Sequence, residues 1–248
     1  MKTSVLSLGW ILLAVFFFSC HSQQRPNLLD SGLQLTENKV WAHAVNDTLT
    51  AQTKEKKFSG MELDVIYSAY QHQLYVGHNE EDTLKGLTLE QWFASLKHPE
   101  KMCFWLDMKN MTSVNADEVS DLVSDILEPY HLKDRAFLEN CDSWALKKVK
   151  AHKLHTSLWV DSFSWSTIDT TAWVEKVQRQ IQTASPDALS CEYKMFGALT
   201  EFFSDQNLFL WHTPAPYTEE NVALTRMFCE HPSVKVVLVD YDEPLPLH

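Results

Sequence analysis

Strand-like runs alternating with helical patterns predict a closed parallel (β/α)8 barrel of the TIM type. Three observations carry that expectation. The alternation runs in one uninterrupted block from about residue 40 to the end of the 248-residue chain. No internal repeat, low-complexity stretch or Pro/Gly linker divides the block into two domains. No Gly-x-Gly-x-x-Gly follows any strand, and six Gly in all leave little room for the phosphate-binding turn of a doubly wound open sheet.

The strand candidates, in order, are Lys39 to Ala44, Met61 to Tyr67, Met102 to Met108, Ala136 to Asn140, Ser157 to Asp161, Ala188 to Tyr193, Leu208 to His212 and Val234 to Tyr241. An extra run, Gln73 to Gly77, is expected to pair as a hairpin with the second strand. The clearest helix begins at Asn115. Its side chain is placed to cap the helix, with Glu118 three residues on to close the capping box. Val119, Leu122, Val123, Ile126 and Leu127 then fall on one face. Further helices are predicted over Leu87 to Leu96, Ser143 to His152, Thr167 to Ile181 and Glu219 to Glu230. The chain ends at Pro244-Leu245-Pro246-Leu247-His248, soon after the eighth strand, so the last outer helix is expected to be missing.

Residues 39–248 read as the barrel, and 20–38 as a tether and N-terminal cover, with Asn27 to Glu37 lying across the barrel bottom. Residues 1–19 read as a secretory signal. Lys2 gives a positive start, and the apolar stretch from Val5 to Phe18 is too short for a comfortable membrane span. Ser19-Cys20 then resembles a bacterial lipoprotein junction, at which Cys20 would be lipidated; plain secretion is the alternative. The expectation is an exported protein tethered to the bacterial cell envelope by a lipid anchor only.

Composition narrows the partners. With 45% hydrophobic residues the chain can bury a full core, and nine Trp with thirteen Phe suggest a dense interior or an aromatic-lined cleft, packing being the commoner use. A net charge of −12 argues against nucleic acid or an anionic lipid surface but suits a site that collects a cation. Cys103, Cys141, Cys191 and Cys229 are widely spaced, with no Cys-x-x-Cys, which favours free or buried thiols over disulfides or zinc.

In such a barrel the C-terminal strand ends share one rim. His43 ends the first strand, Glu62 and Asp64 lie in the second, His78 follows the hairpin, and Asp107 and Lys109 end the third. Glu62 and Asp64 are two apart, so both project to one face. Paired carboxylates repel unless something positive separates them, and with Asp107 they offer three oxygen ligands to one hard cation, Mg²⁺ or Ca²⁺. The competing reading is that these acids bind only Lys109 and backbone amides. Two imidazoles can serve as acid and base on either side of a phosphodiester, with Lys109 offsetting charge on its equatorial oxygens. His72, His98, His152, His155 and His231 read as surface or loop residues. Glu192 ends the sixth strand, where a salt bridge with Lys194 is the favoured reading. Trp211 offers a wall under a substrate headgroup, although barrel packing explains it equally well.

Taken in order, His43-Ala44-Val45-Asn46, Glu62-Leu63-Asp64-Val65, Tyr75-Val76-Gly77-His78 and Leu106-Asp107-Met108-Lys109 resemble the superfamily of glycerophosphodiester phosphodiesterases, sphingomyelinase D-type phospholipases and phosphatidylinositol-specific phospholipase C-like barrels. Trp41-Ala42-His43-Ala44-Val45-Asn46 is similar to the menorin family of the same group. The resemblance implies a phospholipase C-like barrel with His43 and His78 as the acid/base pair and Glu62, Asp64 and Asp107 as ligands of one divalent cation. It also implies Lys109 as the phosphate-stabilising cation and Asn46 as a residue lining the substrate site. Ala44 stands where glycerophosphodiesterases carry Arg, their Pro-Glu-Asn-Thr stretch is absent, and the third acid is Asp107 rather than Glu. The expected function is therefore a metal-dependent phosphodiesterase acting on a small phospholipid-derived or glycerophosphodiester-like substrate. The alternative is a non-catalytic menorin-like barrel that binds a ligand or partner at the envelope.

Overall fold

A computed structural model describes residues 32–162, 169–212 and 216–245. The signal-like segment, Cys20 and the tether up to residue 31 lie outside the described residues. Eight parallel strands close into a barrel: β1 (Val40–Ala42), β2 (Gly60–Ser68), β4 (Cys103–Met108), β5 (Ala136–Asn140), β6 (His155–Trp159), β7 (Ala188–Glu192), β8 (Leu208–Trp211) and β9 (Val234–Val239). β1 closes the ring by pairing with both β9 and β2. β3 (Gln73–Val76) runs antiparallel to the far half of β2, as the hairpin reading expected. The strand bounds agree with the sequence to within two residues. The largest shift is β6, which starts at His155 rather than Ser157.

The helices among the described residues are α1 (Thr48–Lys54), α2 (Leu89–Ala94), α3 (Ala116–Leu127), α4 (Ser143–Ala151), α5 (Thr170–Ala184), α6 (Phe196–Phe202) and α7 (Glu219–Glu230). Two of these, α1 and α6, were not anticipated: each has seven residues, too few to show a helical period. The local signal for α1 is Asp47, whose carboxylate accepts from the amides of Leu49 and Thr50. Among the described residues no helix follows β9, and no helix is long and apolar enough to cross a membrane.

The capping box predicted at Asn115 does not form. Asn115 stands at the N-cap, but its Oδ1 accepts from the Thr112 amide at 2.7 Å and its Nδ2 donates to the Asn110 carbonyl at 3.2 Å. It fastens the loop leaving β4 instead of the helix behind it. Glu118 turns to the β2–β3 hairpin, pairing with His72 and taking a hydrogen bond from the Tyr67 hydroxyl.

Period-two alternation sorts the strand side chains into two cores. Val40, Ala42, Met61, Leu63, Phe104 and Leu106 face outward to the helices, where Trp92, Phe93, Val119, Val123 and Leu146 cover them. Trp41, Trp105, Phe137, Phe209 and Leu238 face inward and fill the barrel axis. Phe137 and Phe209 lie 4.5 Å apart between centroids, with Trp105 within 5.7 Å of both. Gly60 is required here, because a Cβ on it would lie 2.1 Å from the Trp41 indole. At the bottom Leu33 is 2% exposed against this aromatic plug, and the Cys103 thiol donates to the Gln34 carbonyl.

His155 departs from its surface reading. It is buried at the start of β6, with Nδ1 3.6 Å from Asp187, whose carboxylate also holds Lys150 at 2.9 Å and the Thr156 amide at 2.8 Å. Starting the strand two residues earlier turns this ring from loop to barrel wall. Cys103 and Cys191 are buried in β4 and β7, and the four described cysteines are free.

Candidate active site

Two residues beyond the aromatic plug, the inward columns change character. Trp41 gives way to His43, Gly60 to Glu62 and then Asp64, Trp105 to Asp107, and Phe137 to Glu139. Asp64, Asp107 and Glu139 are consecutive register partners on β2, β4 and β5, so they stand side by side on one level of the wall. They border a cavity of about 550 Å³ at the C-terminal mouth of the barrel.

Glu62, Asp64 and Asp107 each offer a carboxylate oxygen, all within 4.8 Å of one another. Glu62 is 3% exposed, and Oε2 accepts the Ala44 amide at 2.6 Å. Ala44 can present that amide because it holds φ at 52°, a left-handed conformation that non-glycine residues adopt only under local constraint. Asn46 secures Asp64 twice, donating to its carboxylate at 2.6 Å and accepting its backbone amide at 2.9 Å. These bonds place the Asn46 side chain beside Asp64, outside the cavity lining. Lys109 spans the remaining acids, 2.6 Å from Asp64 Oδ1 and bonded to Asp107 Oδ2.

Burial pushes the Glu62 carboxyl well above the usual carboxylate range, and the charges of Asp64 and Asp107 push it further. Burial also raises Asp107, against the pull of Lys109. Burial alone would lower Lys109, but the carboxylates of Asp107 and Asp64 outweigh it and hold the ammonium above its ordinary range. The bonds of the purely structural reading, acid to lysine and acid to amide, are thus present. They leave three clustered carboxylates to one ammonium. That excess of hard oxygen donors fits a divalent cation of the Mg²⁺ or Ca²⁺ type.

The two histidines flank this cluster. His43 Nδ1 lies 2.8 Å from Asp240 Oδ1; a carboxylate only accepts, so Nδ1 carries the proton. Nε2 is thereby left facing the acids, 3.7 Å from Glu62 Oε2. His78 Nδ1 stands 3.2 Å from Asp64 Oδ2. Its turn is fixed by Asp82, which accepts the amides of His78 and Asn79 at 2.8 and 3.0 Å. Gly77 permits that approach, since a Cβ there would lie 2.3 Å from the Asp82 Cβ.

The structure therefore brings His43, His78, Glu62, Asp64, Asp107 and Lys109 to one cavity. Trp211 lines its far side, with its ring 6.4 Å from that of Trp159 and inclined by 30°. Glu192 points elsewhere, paired with Lys194 at 2.7 Å. Three residues at or beside the cavity, Asp240 standing outside its lining, escaped the sequence reading. Asp240, which orients His43, was seen only as part of a strand-end run. Glu139 and Trp159 each end an inward column, as Asp107 does, and that pattern could have found them.

No family model matches this sequence, and no curated protein matches it either. Solved structures do resemble it. A glycerophosphodiester phosphodiesterase from Parabacteroides distasonis is 16% identical, with a TM-score of 0.60 over 84% of this chain and 94% of that one. A phosphodiesterase from Oleispira antarctica, solved with its product sn-glycerol-3-phosphate, is 14% identical, with a TM-score of 0.60 over 86% and 95%. A glycerol uptake operon antiterminator regulatory protein from Listeria monocytogenes is 11% identical, with a TM-score of 0.53 over 87% and 99%. The fold is thus the closed β/α barrel shared by glycerophosphodiester phosphodiesterase structures. Because a regulatory protein has a similar barrel, function has to be argued from the site.

Proposed function

We propose that this chain is a metal-dependent phosphodiesterase acting on a small phosphodiester of the glycerophosphodiester or phospholipid-headgroup kind. One observation carries the reading: two imidazoles flank a cluster of three carboxylates and a lysine at the mouth of a single cavity. Glu62, Asp64 and Asp107 would hold one Mg²⁺ or Ca²⁺, whose charge would polarise the phosphoryl oxygens. Lys109 adds a fixed positive charge beside the same oxygens. One imidazole takes the proton of the attacking hydroxyl as its oxygen bonds to phosphorus. The other returns a proton to the alcohol oxygen as the second P–O bond breaks. Asp240 keeps His43 in the tautomer whose Nε2 can accept. Asn46 acts by holding Asp64 in place rather than by touching substrate. Export and lipidation at Cys20 belong to the same proposal and rest on the N-terminal sequence alone.

The test is turnover of a panel of glycerophosphodiesters and lysophospholipids with Mg²⁺ or Ca²⁺, and again with chelator. Activity is expected only with the ion, and it should be lost in both His43→Ala and His78→Ala. Activity that persists in both variants overturns the mechanism. The absence of both turnover and divalent binding in calorimetry would favour the ligand-binding alternative, which the replacement of the family's Arg by Ala44 keeps open.

A further inference from the structure

The backbone pairing of β4 stops, on both of its edges, beside Lys109. Its parallel register with β2 ends at Val65–Met108, and its register with β5 ends at Asp107–Glu139. Beyond those pairs an asparagine side chain takes over on each edge. On the β2 edge Asn110 Oδ1 accepts the Tyr67 amide at 2.9 Å, and its Nδ2 donates to the Tyr67 carbonyl at 2.8 Å. On the β5 edge Asn140 Nδ2 donates to the Met108 carbonyl at 2.7 Å, and its Oδ1 accepts the Asp142 amide at 2.7 Å. Both ends of each carboxamide are thus spent on backbone groups that the ladder no longer pairs.

The effect converges on Lys109. The carbonyl before it is held by Asn140, its own amide donates to the Val65 carbonyl at 2.9 Å, and the side chain after it grips Tyr67. Further bonds close the loop beyond: Asn115 Nδ2 donates to the Asn110 carbonyl, and the Ser113 amide donates to the Asp142 carboxylate. A lysine needs such a mounting more than a carboxylate does, because its ammonium rides on a flexible four-carbon stem. With the backbone tied, that stem carries Nζ to the carboxylates of Asp64 and Asp107. The grip on Tyr67 also reaches His78. Tyr67 lies in the far half of β2, whose other edge pairs with β3, and β3 runs directly into Gly77-His78.

Building on the phosphodiesterase reading, we propose that Asn110 and Asn140 are positioning residues, a two-sided bracket that sets the Lys109 ammonium against the phosphoryl group. Asn140 borders the cavity, but both residues are assigned to act through Lys109 rather than on substrate. Removing either side frees the strand end that carries the lysine. A displacement of about 1 Å in a group that must meet the transition state costs about 10²-fold in rate.

The experiment is a double-mutant cycle on the intact protein with Mg²⁺: wild type, Asn110→Ala, Lys109→Met and the two combined. A second cycle uses Asn140→Ala. Each protein is read twice, by turnover of the glycerophosphodiester panel and by calorimetry of inorganic phosphate binding. Either asparagine variant is expected to lower kcat by about 10- to 100-fold and to weaken phosphate in the same direction as Lys109→Met. In the Lys109→Met background the same substitutions should change both readouts by less than about twofold, because no ammonium is left to misplace. Asn110→Gln, which keeps both amide groups one methylene further out, is expected to recover part of the loss. If Asn110→Ala does not fold, Asn110→Gln and Asn140→Ala carry the cycle.

Equal losses in the presence and absence of Lys109 overturn the bracket, since a residue that only supports the fold acts alike in both backgrounds. So do single variants that turn over and bind phosphate as the wild type does. Turnover with additive losses removes the bracket and leaves the phosphodiesterase standing. Coupled losses of phosphate binding without turnover by any form remove the phosphodiesterase and leave the bracket. Neither turnover nor phosphate binding by the wild type removes both.

Discussion

The two ends of the barrel axis are built from the same strands and differ completely in chemistry. At the N-terminal end Trp41, Cys103, Phe137 and Phe209 interlock under Leu33 with almost no exposure. At the C-terminal end the same columns finish in His43, Asp107, Glu139 and Trp211 around an open cavity. One step along a strand's inward face is two residues, roughly 7 Å. A single step carries three of the columns from aromatic packing to ionisable groups, Trp41 to His43, Trp105 to Asp107 and Phe137 to Glu139, while Phe209 passes to a second aromatic, Trp211. The lower end is close-packed and supplies rigidity; the upper end gathers like charges that repel and would be unfavourable without that support.

The sharpest way to break this contrast is to truncate one residue at each end. Upper-rim His43→Ala or His78→Ala is expected to cut turnover by about 10²- to 10⁴-fold while leaving the urea midpoint close to wild type. Lower-end Phe137→Ala is expected to lose about 3–5 kcal/mol of stability, read from the same urea titration, because it opens a cavity among Trp41, Trp105 and Phe209. If the histidine variants unfold and the phenylalanine variant does not, the division of labour is wrong.

A smaller effect is expected from Asp240→Ala. The His43 ring keeps its place in the chain but loses the partner that fixes its orientation. A loss of the order of 10²-fold in kcat, with KM little changed, is the expected signature of a misplaced group, checked by steady-state kinetics. Gly60→Ala is smaller again. Its Cβ would drive into the Trp41 indole, and overpacking of this kind costs about 1–3 kcal/mol in thermal or urea unfolding.

The last prediction concerns acid. Burial opposes the charge on Asp187, but His155, Lys150 and the Thr156 amide outweigh it and hold its carboxyl below the usual carboxylate range. A folded-state value below the unfolded one means stability that is fully present above the unfolded carboxylate range. It is lost as pH falls through the lower folded value. Asp187→Asn should therefore flatten the acid limb of the stability profile measured by urea unfolding, with its difference from wild type shrinking below about pH 4. A profile unchanged across that window would show that the lower end has no such ionic tie.

The legibility of the sequence follows the same division. Strands were readable because alternation and β-branched runs are local signals, and the rim acids were readable because a charge ending an apolar run stands out. Glu139 fits that rule, yet in Ala136-Phe137-Leu138-Glu139-Asn140 nothing local separates a buried acid from a solvated strand end. Asp240 could not be assigned a role because its partner His43 lies 197 residues away in the chain. Asn115 and Glu118 match a capping box locally, but tertiary partners, the β4 loop and the β2–β3 hairpin, claimed both side chains. His155 was misread through a two-residue error in where β6 begins, enough to exchange loop for wall. The aromatic wall of Trp159 and Trp211 needed the closure of the barrel to bring two strands together.

The most direct measurement is phosphorus NMR of a glycerophosphodiester mixture incubated with Mg²⁺ or Ca²⁺ and either the wild-type protein or His43→Ala at equal concentration. Conversion of diester resonances to monoester or cyclic diester by the wild type, with the variant near background, is the predicted result. Equal conversion by both, or none by the wild type with either ion, would contradict a rim built for phosphodiester cleavage.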